Sequence, residues 1–340
     1  MKLRAMLSSA WRRIRSVFSS GKNRVRSTRS ESREHLFRAR PHPGSRNRRY
    51  RVHVPGGNRS GKPRPLVMVL HGCNQDNRDI EQISGFSALA DQHDFLVVYP
   101  FVTSYRGIRN KNCWGWWFDR EIHAGAGEVE DLWHIIEEVQ QLYPVDPNRI
   151  HIAGLSSGAG MTVAMLVVHA KKIASGAAVA GLPYAENAKA VRHGLNRDPQ
   201  NRPVVAIVKE MQEELDDYRR AVPIQIIHSA GDETVDINSA YTLRDSWGHC
   251  FGVETRWSEQ VTTGETAGTA WEHTRFTDEQ SQSIIETYFL EGPGHGWYGG
   301  PPGKYSFPDA PDVTREIWQF FSAHPRDVSQ DSSSRLSRAG

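Results

Sequence analysis

The chain reads as an α/β domain with a mostly parallel central sheet and helices on both faces. Three observations predict this. Short apolar runs alternate with segments of helical spacing from Tyr50 onward, the rhythm of strands joined by crossover helices. Most of these runs are continuously apolar, as strands buried on both faces must be. A Gly-x-Ser-x-Gly turn lies where one such run passes into a helix.

Tyr50, Val52 and Val54 alternate with polar residues, the pattern of an edge strand. Leu66–Leu70 is a buried strand. Ile80, Ile83 and Ala90 mark a helix, and Phe95–Tyr99 a second buried strand. Leu132, Ile135, Ile136 and Val139 form one stripe of a helix over Asp131–Leu142, which Pro144 stops. Ile150–Ala153 is a strand, and the almost wholly apolar Gly158–Ala170 a buried helix. Gly176–Ala180, Pro223–Ile227 and Ile284–Phe289 are further strands. Residues 184–222 break the rhythm and are expected to form an insertion or cap over the site. The α/β domain is placed at 50–324, with a frayed Ser- and Arg-rich tail at 325–340.

Length and composition suit one sizeable core: 340 residues, 38% of them hydrophobic. No run of apolar residues is long enough to span a membrane. The net charge of +3 is uneven. Residues 1–51 carry 16 Lys and Arg against 2 Glu, a balance of +14 that leaves −11 on the rest. An acidic body is a poor match for nucleic acid. Residues 1–49 are expected to be a solvated, disordered tail. Within it Leu7, Trp11, Ile14 and Phe18 fall at helical spacing among arginines, a short basic amphipathic helix over 5–18 suited to an anionic surface. Charges interrupt any apolar core of a secretory signal there. Three cysteines allow one bridge and one free thiol, and they fit no zinc pattern.

The chemistry centres on Gly154-Leu155-Ser156-Ser157-Gly158. A serine needs a base to become a nucleophile, and it must stand exposed above the sheet. A sharp strand-to-helix turn does this, with small residues two before and two after. The helix start also supplies N–H donors for a developing oxyanion. Ser157 gives one, and Cys73 in His71-Gly72-Cys73, after the strand Leu66–Leu70, gives the other. His71 is read as tying that loop down. Asp232 runs off the strand Pro223–Ile227 and is placed to orient a histidine, with Glu233 and Asp236 as rivals in the same turn. Of 15 histidines, His295 in Gly292-Pro293-Gly294-His295-Gly296-Trp297 is the base, presented by a Gly-rich loop after the last strand; His228 is second choice. Trp114, Trp116, Trp117 and Phe118 are expected to divide between cleft and core. Trp114, Trp117 and Trp297 are the expected substrate contacts.

These residues resemble the polyhydroxybutyrate depolymerase-like esterases, near the feruloyl and acetylxylan esterases. The likeness rests on Leu70-His71-Gly72-Cys73-Asn74-Gln75-Asp76, Asn112-Cys113-Trp114, Gly127-Glu128, the elbow, Gly181-Leu182-Pro183-Tyr184 and Gly294-His295-Gly296-Trp297, over residues 48–325. It implies an α/β-hydrolase fold, no cofactor or metal, and hydrolysis of 3-hydroxybutyrate oligomers, polymer or similar short-chain esters through an acyl-enzyme on Ser156, Asp232 and His295. It also implies secretion, in which case Cys73 and Cys113 pair near the site; without a signal peptide the alternative is cytoplasmic. The elbow reads Ser-Ser-Gly-Ala where the family usually has Ser-Ala-Gly-Gly. The runner-up is a feruloyl or acetylxylan esterase. From another class, the chain is a silent hydrolase scaffold held to a surface by its basic tail.

Overall fold

The computed structural model describes residues 29–57, 61–102, 112–192, 198–216, 218, 220–253, 258–277 and 283–326. The expected helix at 5–18 and the tail beyond 326 lie outside them. In chain order the strands are β1 (Glu31–Phe37), β2 (Arg48–Val54), β3 (Arg64–Leu70), β4 (Leu96–Pro100), β5 (Val145–Leu155), β6 (Ser175–Val179), β7 (Ile224–Ser229), β8 (Ser258–Thr266), β9 (Thr269–Thr277), β10 (Ser283–Leu290), β11 (Trp297–Tyr298) and β12 (Ser306–Phe307). The helices are α1 (Asn77–Ser84), α2 (Phe86–His93), α3 (Gly127–Leu142), α4 (Ser157–Val168), α5 (Val204–Leu215), α6 (Asn238–Phe251) and α7 (Val313–Ala323).

Ten strands form one sheet in the order β1-β2-β4-β3-β5-β6-β7-β10-β9-β8. The six from β4 to β10 are parallel. Antiparallel pairs flank them, β1–β2 on one side and β9–β8 on the other. The sheet is therefore mixed, with a parallel centre. Strand alternation sends neighbouring residues to opposite faces. On β3, Leu66, Met68 and Leu70 join the core beneath α3, α4, α5 and α6, while Val67 and Val69 join the core beneath α1, α2 and α7. Helix α4 is buried from Ser157 to Val167, as its uniformly apolar sequence requires.

Three expectations are corrected. The segment before Tyr50 is not all tail, because β1 pairs along the whole of β2 and takes the sheet edge from it. Not all of its arginines are solvated either. Arg46 pairs with Glu121 and Arg48 with Asp131, at 2.7 Å each, and Glu121, Glu128 and Asp131 are fully buried. Buried carboxylates need such partners, so basic tail and acidic body meet inside the fold. Residues 184–222 are not wholly an insertion. Ile207, Met211 and Leu215 lie four apart on α5 and are buried against α4 and α6, which makes α5 part of the helical layer. The hairpin β8–β9 and its Ala267-Gly268 turn, both residues at positive φ, carry no apolar alternation to announce them.

Candidate active site

Four loops leave the C-terminal ends of parallel strands and converge, as open α/β sheets dictate. They follow β3, β5, β7 and β10. The turn after β5 holds Ser156 at φ 57° and ψ −116°, a strained conformation for a residue with a side chain. The two glycines of the motif are needed for contact. A Cβ on Gly154 would lie 2.3 Å from the Gly158 carbonyl oxygen, and one on Gly158 2.3 Å from that of Leu70. Strand β5, helix α4 and the end of β3 thus touch through bare backbone, and Ser156 is raised at their junction.

The loop after β3 is held by its side chains. Gly72 N–H donates to Gln75 Oε1 at 2.8 Å, and Gln75 Nε2 reaches the Lys304 carbonyl. His71 is completely buried. Its Nδ1–H donates to the Gly72 carbonyl at 2.8 Å and its Nε2 accepts from Val102 N–H at 3.2 Å. Burial lowers its pKa to about 4, so it is a neutral brace. Cys73 is joined to Cys113 by a disulfide, and Cys250 is a buried thiol outside it.

His295 and Asp232 form the second half. Their loops approach closely enough that a Cβ on Gly231 would lie 2.6 Å from the Gly292 carbonyl oxygen. Ser229 Oγ–H donates to the Pro293 carbonyl and accepts from Gly231 N–H. His295 Nδ1 is 2.7 Å from Asp232 Oδ2, and Asp232 Oδ1 accepts from Thr234 and Val235 N–H at 2.8 and 2.9 Å. Burial would raise the Asp232 pKa, but the hydrogen bond and charge of His295, with His228 and the Val235 N–H, outweigh it and hold it below its ordinary value. An ionised Asp232 accepts the proton of Nδ1, which leaves the lone pair on Nε2. His228 is buried, donates to the Val235 carbonyl at 2.8 Å, and is lowered by desolvation. It braces the acid loop.

Ser156, Ser157, Cys73, His295 and Trp117 all line one cavity of about 510 Å³, with Asp232 directly behind His295. Glu233 and Asp236 do not bond His295. Two expected substrate contacts lie elsewhere. Trp114 is fully buried in the core, its ring 5.4 Å from that of His71. Trp297 is fully buried on the other sheet face, where its indole N–H donates to Thr314 Oγ1 at 3.0 Å. Strand β11 pairs with β12 and turns this ring away from the cavity, although it follows His295 by two residues. Trp116 takes the wall position, packed on Gly160 of α4 and against Trp117 at 5.1 Å. Gly115 N–H, donating to Glu128 Oε2 at 2.6 Å, fixes this aromatic loop to the buried ionic cluster. Leu182, Val191, Arg192 and Tyr305 also line the cavity. The Gly181–Tyr184 motif signalled the first, Val191 and Arg192 fall in the segment expected to cover the site, and nothing in the sequence signalled Tyr305. Among the described residues no group of three or more His, Cys, Asp or Glu side chains could hold a metal ion.

The sheet and its loops are those of the α/β-hydrolase superfamily. The chain superposes on an acetyl xylan esterase from Aspergillus awamori with a TM-score of 0.61 at 19% identity, over 86% of this chain and 99% of that one. It is 28% identical over 251 residues to poly(3-hydroxyalkanoate) depolymerase C of Paucimonas lemoignei, 72% of this chain and 57% of that protein's length. It is 24% identical over 243 residues to acetylxylan esterase A of Emericella nidulans, 68% of this chain and 75% of that one. Residues 49–253, more than half of the chain, match the model described as "Esterase PHB depolymerase", and the chain belongs to that family.

Proposed function

We propose that the chain is a serine carboxylic-ester hydrolase that acts through an acyl-enzyme on short 3-hydroxyalkanoate esters. The observation that carries this is the 2.7 Å bond from His295 Nδ1 to Asp232 in the wall of the cavity that Ser156 enters. His295 Nε2 takes the Ser156 proton as Oγ attacks the ester carbonyl. The N–H groups of Cys73 and Ser157 hold the oxyanion, a contribution of about 3–4 kcal/mol per donor. The C–O bond breaks and His295 returns the proton to the departing alcohol. Water then repeats the sequence on the acyl-enzyme. Residues 184–192, which bring Ala188, Val191 and Arg192 to the cavity, serve as the cap.

The hydroxyalkanoate reading draws on the depolymerase relative. An acetyl or feruloyl ester is the second reading, favoured by the paired rings of Trp116 and Trp117 in the wall. The test is turnover of p-nitrophenyl butyrate by the wild type beside Ser156→Ala. Loss of the nucleophile is expected to lower kcat by several orders of magnitude, up to about 10⁶. Equal activity in both would remove Ser156 from the mechanism. A panel of 3-hydroxybutyrate dimer, methyl ferulate and acetylated xylobiose then ranks the substrate readings.

A further inference from the structure

Arg192 is the one permanently charged side chain among the described residues that line the cavity, and none of those residues is an Asp or Glu. Apolar residues make up much of the same lining: Trp116, Trp117, Leu182, Ala188 and Val191. A guanidinium offers five N–H donors and cannot discharge itself. Here Nη1 donates to the Glu233 carbonyl at 3.3 Å, Nε is buried with no hydrogen-bond partner, and no described carboxylate is within ion-pair distance. The residue is nevertheless held. Its own N–H donates to the Thr234 carbonyl at 2.9 Å, and Val191 bridges to Val235. Thr234 and Val235 are the residues whose N–H groups bond Asp232. The backbone of Arg192 is therefore fixed to the loop of Asp232, and the residue brings a charge to the cavity lining.

We propose that Arg192 anchors a free carboxylate of the substrate, so that the chain cleaves the acid-terminated end of a short hydroxyacyl ester in preference to a neutral ester. This rests on the esterase reading above and names its substrate class. In a 3-hydroxybutyrate dimer the free carboxylate is on the alcohol side, a few bonds from the scissile carbonyl, so both ends fit one cavity. Ser156 Oγ forms the acyl bond, the ester C–O bond breaks, and the alkoxide leaves with its carboxylate after taking the proton from His295. Water then releases the second hydroxy acid. A guanidinium N–H bonded to a carboxylate in an apolar-walled site discriminates by about tenfold or more, because charge-assisted bonds are the strong ones.

The experiment compares kcat/KM for the 3-hydroxybutyrate dimer as free acid and as methyl ester, in the wild type, Arg192→Gln and Arg192→Lys. The wild type is expected to favour the acid about tenfold or more, Arg192→Gln to bring the ratio toward one, and Arg192→Lys to keep part of it. A wild-type ratio near one, or a ratio unchanged in Arg192→Gln because both substrates slow alike, overturns the proposal. If the wild type turns over neither these esters nor p-nitrophenyl butyrate, the esterase reading fails on its own. Calorimetric binding of the dimer acid then decides: capture by the wild type and not by Arg192→Gln upholds the anchor, and capture by neither refutes it.

Discussion

Gly158→Ala tests the elbow as a piece of geometry. The added Cβ would lie 2.3 Å from the Leu70 carbonyl oxygen and 2.7 Å from that of His71. A close C–H···O contact needs about 3.3 Å, so the shortfall is roughly 1 Å. Both obstacles are backbone, and α4 is packed on its other sides. The clash must push the helix start away from the end of β3. That parts Ser156 and Ser157 from the Cys73 loop, which grows out of the same strand end. A misplacement of about 1 Å costs on the order of 10²-fold in rate, and overpacking of this kind costs about 1–3 kcal/mol of stability. The assay is kcat/KM on p-nitrophenyl butyrate, with thermal unfolding measured alongside. Gly72→Ala is the comparator: its Cβ would meet the Gln75 side-chain oxygen at 3.2 Å, an atom that can shift, and a much smaller loss is expected. Should Gly158→Ala match the wild type in both rate and melting temperature, the claim that bare backbone contact positions the nucleophile is wrong.

Asp232→Asn is expected to lower kcat by about 10⁴ while leaving the fold intact, because an amide no longer holds His295 in the tautomer with a free Nε2; a loss under tenfold in steady-state kinetics would point to another acid. The disulfide closes a separation of 40 residues. Its removal by Cys113→Ser is expected to cost about 4 kcal/mol on chain-entropy grounds, read as a lower urea midpoint that dithiothreitol does not lower further. Burial lowers His71 to about 4 and both His151 and His169 to about 3. The unfolded chain, with histidines near 6.5, then binds more protons below that value. Stability is full above pH of about 6.5 and falls as pH drops toward 3, by up to about 1.4 kcal/mol per unit for each histidine. Urea midpoints at pH 7, 5 and 4 should fall less steeply in His151→Asn; an identical slope would mean this site does not carry the linkage.

What could be read from the sequence follows from how each element earns its burial. The central strands β3 to β7 and β10 are buried on both faces, so their composition alone declares them. The elbow and the loop of His295 were legible because their glycines answer to local backbone geometry. Strand β1 was not, because it is an edge strand on which only Phe37 is buried, so no apolar alternation is required of it. Strands β8 and β9 pair with each other and leave most of β8 exposed, so no apolar pattern is required of them. Helix α5 did show its stripe at Ile207, Met211 and Leu215, and the length of the surrounding irregular segment concealed it. The tryptophans were the hardest to sort. Trp114 and Trp116 are two residues apart yet one is core and the other cavity wall, a division made by a Glu128 contact that no local spacing encodes.

The ionic cluster beneath the aromatic loop also bears on what can be inherited as a piece. The stretch 49–253, which matches the family model, contains Ser156 and Asp232 but not His295. It also lacks Arg46 and Arg48, the counter-ions of Glu121 and Asp131. A recombination event that moved only that stretch would deliver Ser156 without His295 and a buried Asp131 without Arg48. A unit that keeps His295 and these ion pairs with Ser156 must extend beyond residues 49–253 at both ends.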